Sequence, residues 1–165
     1  MSRTALITGI SGQDGSYLTE FLLKKEYEIH GIIRRSSIAK INRLDHLLTN
    51  DEYQKKITLH DGDLSDLPSL IRILNDVQAD EIYHLAAQSH VGISFTQPSY
   101  TADVTALGTL RFLEIIRQFK LKSRFYQAGS SEMFGKVLET PQSEKTPFNP
   151  QSPYGISKVF AHTTA

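Results

Sequence analysis

Hydrophobic and polar positions along this chain switch repeatedly between a period of two and a period of about 3.6. The run TALIT (4 to 8) is a short β-rich stretch, and after Gly12 the residues Tyr17, Leu18, Phe21 and Leu22 recur at helical spacing, predicting an amphipathic helix. EIHGIIR (28 to 34) predicts a second strand and KITLHDGD (56 to 63) a third. The segment between them is expected to be a long loop with a helical turn near Arg43 to Leu48. Ser65 or Asp66 can cap a further helix with Pro68 in its first turn, and Leu67, Leu70, Ile71 and Leu74 supply its apolar face. DEIYHLAA (80 to 87) predicts a fourth strand and RFYQAGS (124 to 130) a fifth. Between these two, Val104, Leu107, Leu110 and Leu113 mark a long helix from about Ala102 to Lys120. The last residues, YGISKVFAHTTA, open another helix.

Strand and helix alternate without hairpin signals, which predicts an α/β fold: a Rossmann-type doubly wound parallel sheet with helices on both faces. Such sheets bind ligands beyond the carboxyl ends of their strands, so the strand-to-loop junctions are where chemistry is expected.

Composition narrows the classes. Lys plus Arg number 18 and Asp plus Glu 18, so no global field draws the protein to nucleic acid or an anionic membrane, and neither is expected as a partner. The absence of cysteine excludes a disulfide framework, a thiolate metal site and a cysteine nucleophile, and no metal is expected. No apolar run approaches the roughly 20 residues of a membrane span, and a cytoplasmic location is expected.

The first junction reads Thr8-Gly9-Ile10-Ser11-Gly12-Gln13-Asp14-Gly15, a G-x-x-G-x-x-G turn between a strand and a helix. Glycines there let backbone amides approach a pyrophosphate at a helix N-terminus. An NAD-selective site needs a carboxylate after the second strand, but this chain has Arg34, Arg35, Ser36 and Ser37, which suit the 2′-phosphate of NADP. Asp63, followed by Leu64, ends the third strand, where a carboxylate can accept from an adenine amino group or cap the next helix. Leu85, Ala86, Ala87 and Gln88 after the fourth strand leave room for a cofactor.

Among seven tyrosines only Tyr154 has a lysine four residues on, Lys158, and i,i+4 residues share a helix face. An ammonium beside the phenol favours phenolate, as an acid/base pair requires. Gly129-Ser130-Ser131-Glu132 ends the fifth strand. Ser130 can hydrogen-bond an alcohol oxygen. Glu132 is a carboxylate that hydride transfer does not require and that elimination next to a ketone does.

The segments TGISGQDGSYL, GIIRRSS, DGDLSD, HLAAQSHVGISF, YTADVTALGTLRFLE, YQAGSSEMFG and SPYGISK together resemble the GDP-mannose 4,6-dehydratase family of the extended short-chain dehydrogenase/reductases. The resemblance implies tightly held NADP, GDP-mannose as substrate, and Ser130, Glu132, Tyr154 and Lys158 as catalytic groups. It implies cofactor contacts from Gly9, Ser11, Gly12, Gln13, Asp14 and Gly15 in the turn, and from Arg34, Arg35 and Ser36 after the second strand. Further contacts are expected from Asp63, Leu64, Leu85, Ala86, Ala87, Ser89, Tyr100 and Lys158. A homo-oligomer, dimer or tetramer, is also implied. Family members carry a C-terminal region that supplies most of the sugar-nucleotide pocket. Residues 1 to 165 are therefore expected to form the NADP-binding domain with its catalytic residues, the C-terminal region being absent, and to turn over GDP-mannose poorly or not at all alone. Alternatives are another extended short-chain reductase or epimerase, or a noncatalytic NADP-binding domain.

Overall fold

Five parallel strands in the order β3-β2-β1-β4-β5 make the sheet of the computed structural model, which describes residues 2–34 and 42–165. They are β1 (Thr4–Thr8), β2 (Glu28–Ile33), β3 (Ile57–Asp61), β4 (Glu81–His84) and β5 (Arg124–Gln127). The helices are α1 (Gln13–Leu23), α2 (Asp45–Leu48), α3 (Leu67–Val77), α4 (Val91–Thr96), α5 (Pro98–Thr101), α6 (Gly108–Gln118) and α7 (Pro153–Thr164). The strand order reverses at β1, since β2 lies on one side of it and β4 on the other, and this is where a doubly wound sheet opens its crevice.

The strand period of two explains why both sheet faces are covered. Along β1, Leu6 faces a core built with Ile32, Leu70, Ile73, Phe112 and Ile115, while Ala5 and Ile7 face another built with Ile10, Leu22, Leu23, Ile29 and Leu47. The first core is roofed by α3 and α6, the second by α1 and α2. The fold is thus the expected Rossmann-type α/β sandwich.

Several local expectations are corrected. The buried face of α1 is Gly15, Ser16, Thr19, Leu22 and Leu23, whereas Tyr17 is 66% and Phe21 56% exposed. Gly15 must sit against the preceding turn, which fixes the helix phase. Ser16 and Thr19 can be buried because their hydroxyls donate to the carbonyls of Gln13 (2.8 Å) and Gly15 (2.7 Å). The α3 helix buries Leu70, Ile73 and Leu74, leaving Leu67 exposed, and its N-cap Asp66 makes no side-chain cap bond. Of the predicted apolar positions Val104, Leu107, Leu110 and Leu113, Val104 is buried in the core, Leu107 is exposed and the other two are half-buried. Ala102–Leu107 forms a π-helical turn that rephases the helix, so Thr105, Gly108, Thr109, Phe112 and Ile115 point inward and Leu107 outward. Helices α4 and α5 were not expected at all. β4 and β5 end at His84 and Gln127, earlier than predicted, so the residues that follow them lie in loops.

Candidate functional site

A cavity of about 370 Å³ opens beyond the carboxyl ends of the first four strands. Its floor is the glycine turn. Gly9 has φ 71°, a left-handed conformation, and a Cβ there would lie 3.0 Å from the amide nitrogen of Ala86, so the turn lies flush against the end of β4. The Gly12 amide donates to the Gly9 carbonyl at 2.9 Å, and Gly12 is the N-cap of α1 with no side-chain cap. The amides of the first turn of α1 are thus left for a ligand, and an 11-residue helix adds its dipole there.

Of the predicted cofactor residues, Gly9, Ser11 and Gly12 line the cavity, as do Arg34, Asp63 and Leu64. Leu85, Ala86, Ala87, Ser89 and Tyr100 close its other side. Gln13, Asp14 and Gly15 lie in the first turn of α1 outside the lining, and Arg35 and Ser36 fall outside the described residues. The Arg34 guanidinium donates to the Tyr100 hydroxyl at 2.7 Å, joining the end of β2 to α5 at the cavity wall.

Sequence reasoning missed Thr8, Ile32, Ile33, Gly62 and Val104, which also line the cavity. It missed the role of His84 as well. Thr8 Oγ1 accepts from the amides of Leu85 (3.1 Å) and Ala86 (3.0 Å), which fills its lone pairs, so its own proton goes to His84 Nδ1 at 3.1 Å. That assigns the His84 proton to Nε2, which has no partner among the described residues. Burial, and secondarily the charge of Lys158, pushes the imidazole down to about 3, so it stays neutral at physiological pH.

The four predicted catalytic residues are not among those that line this cavity. Ser130 caps a single 3₁₀ turn, Ser131–Met133, by accepting from the Glu132 amide at 3.2 Å. That turn packs against the start of α7, where only a hydrogen at Gly155 fits against the Glu132 carbonyl, since a Cβ would lie 2.6 Å from it. Ser152 caps α7 by accepting from the Gly155 amide at 3.0 Å, and Pro153 occupies its first turn. The helix therefore starts where Tyr154 and Lys158 share its buried face, 7% and 3% exposed. Lys158 Nζ donates to the Ala128 carbonyl at 2.8 Å and lies 5.9 Å from the Tyr154 ring centroid. The Ala128 amide in turn donates to the His84 carbonyl at 3.2 Å, which ties the Lys158 anchor to the end of β4 that borders the cavity.

Burial pushes the Lys158 ammonium from 10.5 down to about 8. Between those pH values the unfolded chain holds more protons than the folded one, so stability rises with pH across this window and is penalised below it. The penalty at pH 7 is on the order of 3 kcal/mol. Lys158→Met in the intact protein is expected to raise stability at pH 7 by about 1–3 kcal/mol, with the gain shrinking as the pH approaches 10.5. Urea unfolding of both proteins at several pH values checks this. A gain that does not change with pH, or a less stable variant at pH 7, would contradict it.

Residues 6–165 match the family model for GDP-mannose 4,6 dehydratase. A GDP-mannose 4,6-dehydratase of Vibrio cholerae is 57% identical over 164 residues, covering 97% of this chain and 44% of that protein. The human GDP-mannose 4,6 dehydratase is 54% identical over 162 residues, again 44% of its length, so the chain spans less than half of these relatives. In fold it is similar to the UDP-Glc/GlcNAc 4-epimerase of Campylobacter jejuni, with TM-score 0.86 and 25% identity over 99% of this chain and 48% of that one. The UDP-glucose 4-epimerase of Bifidobacterium longum, solved with NAD+ and UDP, gives TM-score 0.82 at 25% identity, with 98% of this chain and 47% of that one covered. The fold is common to epimerases and dehydratases, but the sequence match is to the dehydratases over nearly its whole length, and the chain belongs to the GDP-mannose 4,6-dehydratase family.

Proposed function

We propose that the protein carrying this chain converts GDP-mannose to GDP-4-keto-6-deoxymannose and water. The observation that carries this reading is that Ser130 and Glu132 share one turn, seated against the helix that bears Tyr154 and Lys158. A plain alcohol dehydrogenase has work for Ser130, Tyr154 and Lys158 and none for a carboxylate, whereas elimination needs a base next to the acidified carbon.

The cavity suits a dinucleotide, because it combines an uncapped helix N-terminus, a glycine turn without side chains and a small-residue wall at Ala86 and Ala87. We read the cofactor as NADP, since Arg34 stands at the end of β2 where an NAD site has a carboxylate. NADP, when bound, supplies a hydride acceptor that later returns the hydride, so the overall reaction is redox-neutral. Tyr154 takes the proton of the sugar 4-hydroxyl, Lys158 stabilises the resulting phenolate, and Ser130 hydrogen-bonds the 4-oxygen. Glu132 removes the C5 proton, made acidic by the new ketone, and assists loss of the 6-hydroxyl as water. The same reading makes the protein part of the route to fucose-type deoxysugars and a cytoplasmic homo-oligomer.

Turnover of GDP-mannose by the intact protein in deuterated water tests the reaction. Elimination followed by reprotonation is expected to leave one deuterium at C5 of the 4-keto-6-deoxy product. Epimerisation at C4 or simple reduction leaves C5 unlabelled and gives no 4-keto-6-deoxy product, and that result would replace the dehydratase reading with one of its rivals.

A further inference from the structure

The turn that follows β3 carries Asp63 and Leu64 into the cavity wall, and the hydrogen bonds at its two ends come from different elements. Asp63 Oδ1 accepts from the Ser65 amide (2.9 Å) and hydroxyl (2.7 Å). The Asp63 amide donates to Ser69 Oγ at 3.3 Å, and the Asp66 amide to the Asp63 carbonyl at 2.9 Å. The start of the turn is held by the Gly62 amide, which donates to the Ile33 carbonyl of β2 at 3.0 Å, and by Ser69 of α3. The Leu64 end of the turn is tied to α6 by Arg111, 47 positions along the chain. Arg111 Nη1 donates to the Leu64 carbonyl at 2.9 Å and to the Asp103 carbonyl at 3.1 Å, while Nη2 pairs with Asp103 Oδ1 at 2.6 Å.

The guanidinium is itself held in place. Asp103 lies in the π-helical turn, and two of the three bonds that fix Arg111 go to that residue. A planar fork anchored on one side presents its remaining hydrogen in a set direction, which a flexible ammonium cannot do. One turn further on, Gly108 meets Leu64, where an added Cβ would lie 3.0 Å from the Leu64 Cβ. The π turn brings Gly108 and Arg111 onto one face, so Leu64 is held at its side chain by packing and at its carbonyl by the guanidinium.

We propose that Arg111, which does not line the cavity, is a positioning residue for the Asp63–Leu64 wall and sets affinity for the adenine end of the dinucleotide. This rests on the dinucleotide reading above. Losing the fork releases the Leu64 end of the turn from α6, so the wall samples positions that fit adenine less well, while the groups after β5 and on α7 that do the chemistry keep their places.

Binding of NADPH, of adenosine 2′,5′-bisphosphate and of nicotinamide mononucleotide is compared by titration in the intact wild type, Arg111→Met and Arg111→Lys. Arg111→Met is expected to weaken NADPH and the adenine fragment by a similar factor of about tenfold, the effect of one lost charge-assisted hydrogen bond. Binding of nicotinamide mononucleotide, and kcat at saturating NADPH, should stay within twofold. Arg111→Lys, which keeps the charge and the pairing with Asp103 but cannot grip two carbonyls as a fork, should lose about threefold, and it reads the effect if the methionine variant does not fold. Unchanged affinity for the adenine fragment in a folded variant, or a loss shared equally by the mononucleotide or falling on kcat, overturns the proposal. A wild type that binds neither NADPH nor the adenine fragment overturns the dinucleotide reading, and the proposal with it.

Discussion

Glu132→Gln is expected to stop elimination while sparing the fold. Glutamine keeps the length and shape of glutamate but cannot take a proton at C5, and loss of a positioned base slows a reaction by about 10²- to 10⁴-fold. The turn should tolerate the change. It is held by the Glu132 amide on Ser130 Oγ and by the Glu132 carbonyl against Gly155, and the carboxylate itself makes no hydrogen bond or ion pair among the described residues. Thermal stability of the intact variant should therefore stay within about 0.5 kcal/mol of the wild type. Because Tyr154, Lys158 and Ser130 remain, oxidation at C4 should persist, and reduced nicotinamide should accumulate on adding GDP-mannose where the wild type shows little. Product formation followed beside nicotinamide absorbance checks both halves. Turnover within tenfold of wild type would remove Glu132 from the chemistry and favour a reductase or epimerase.

Gly15→Ala is the stability change expected to be largest. Two effects oppose each other at this site. Gly15 lies within α1, where alanine is intrinsically better than glycine by about 1 kcal/mol. The added Cβ, however, would lie 2.3 Å from the Gly9 carbonyl oxygen, 2.7 Å from Ile10 Cα and 2.8 Å from the Ile10 carbonyl oxygen. All three are backbone atoms of the tightest part of the turn, and Ile10 is fully buried, so none of them can rotate away. Overpacking against fixed backbone costs about 3 kcal/mol or more, which outweighs the propensity gain. A net loss of at least about 2 kcal/mol in denaturant unfolding is expected, together with weaker dinucleotide binding, because relief requires α1 to move off the turn. A variant as stable as the wild type would show that the turn has room to relax.

The glycine turn and the Tyr154/Lys158 pair could be read from the sequence because both are local: their residue spacing already places them at a strand end or on a helix face. The five strands were legible for the same reason, each being a short run bounded by polar residues. The phase of α1 was not. Tyr17 and Phe21 count as hydrophobic in any pattern, yet the contact with the sheet is carried by Gly15, Ser16 and Thr19, whose small size matters more than their polarity. Helices α4 and α5 were hidden by their length, six and four residues, too short to show a period. Arg111 and His84 gave no sequence signal, because what defines them is a partner far along the chain, Leu64 for one and Thr8 for the other.

Thr8 has a consequence for the thermodynamics of binding. Its one hydroxyl holds the amides of Leu85 and Ala86 and the buried imidazole of His84, so the backbone at the end of β4 cannot shift unless β1 releases it. A ligand lying along that wall meets peptide groups that are already ordered before it arrives. On this side of the cavity the ordering entropy was spent when the chain folded, and contacts made there count almost in full toward affinity.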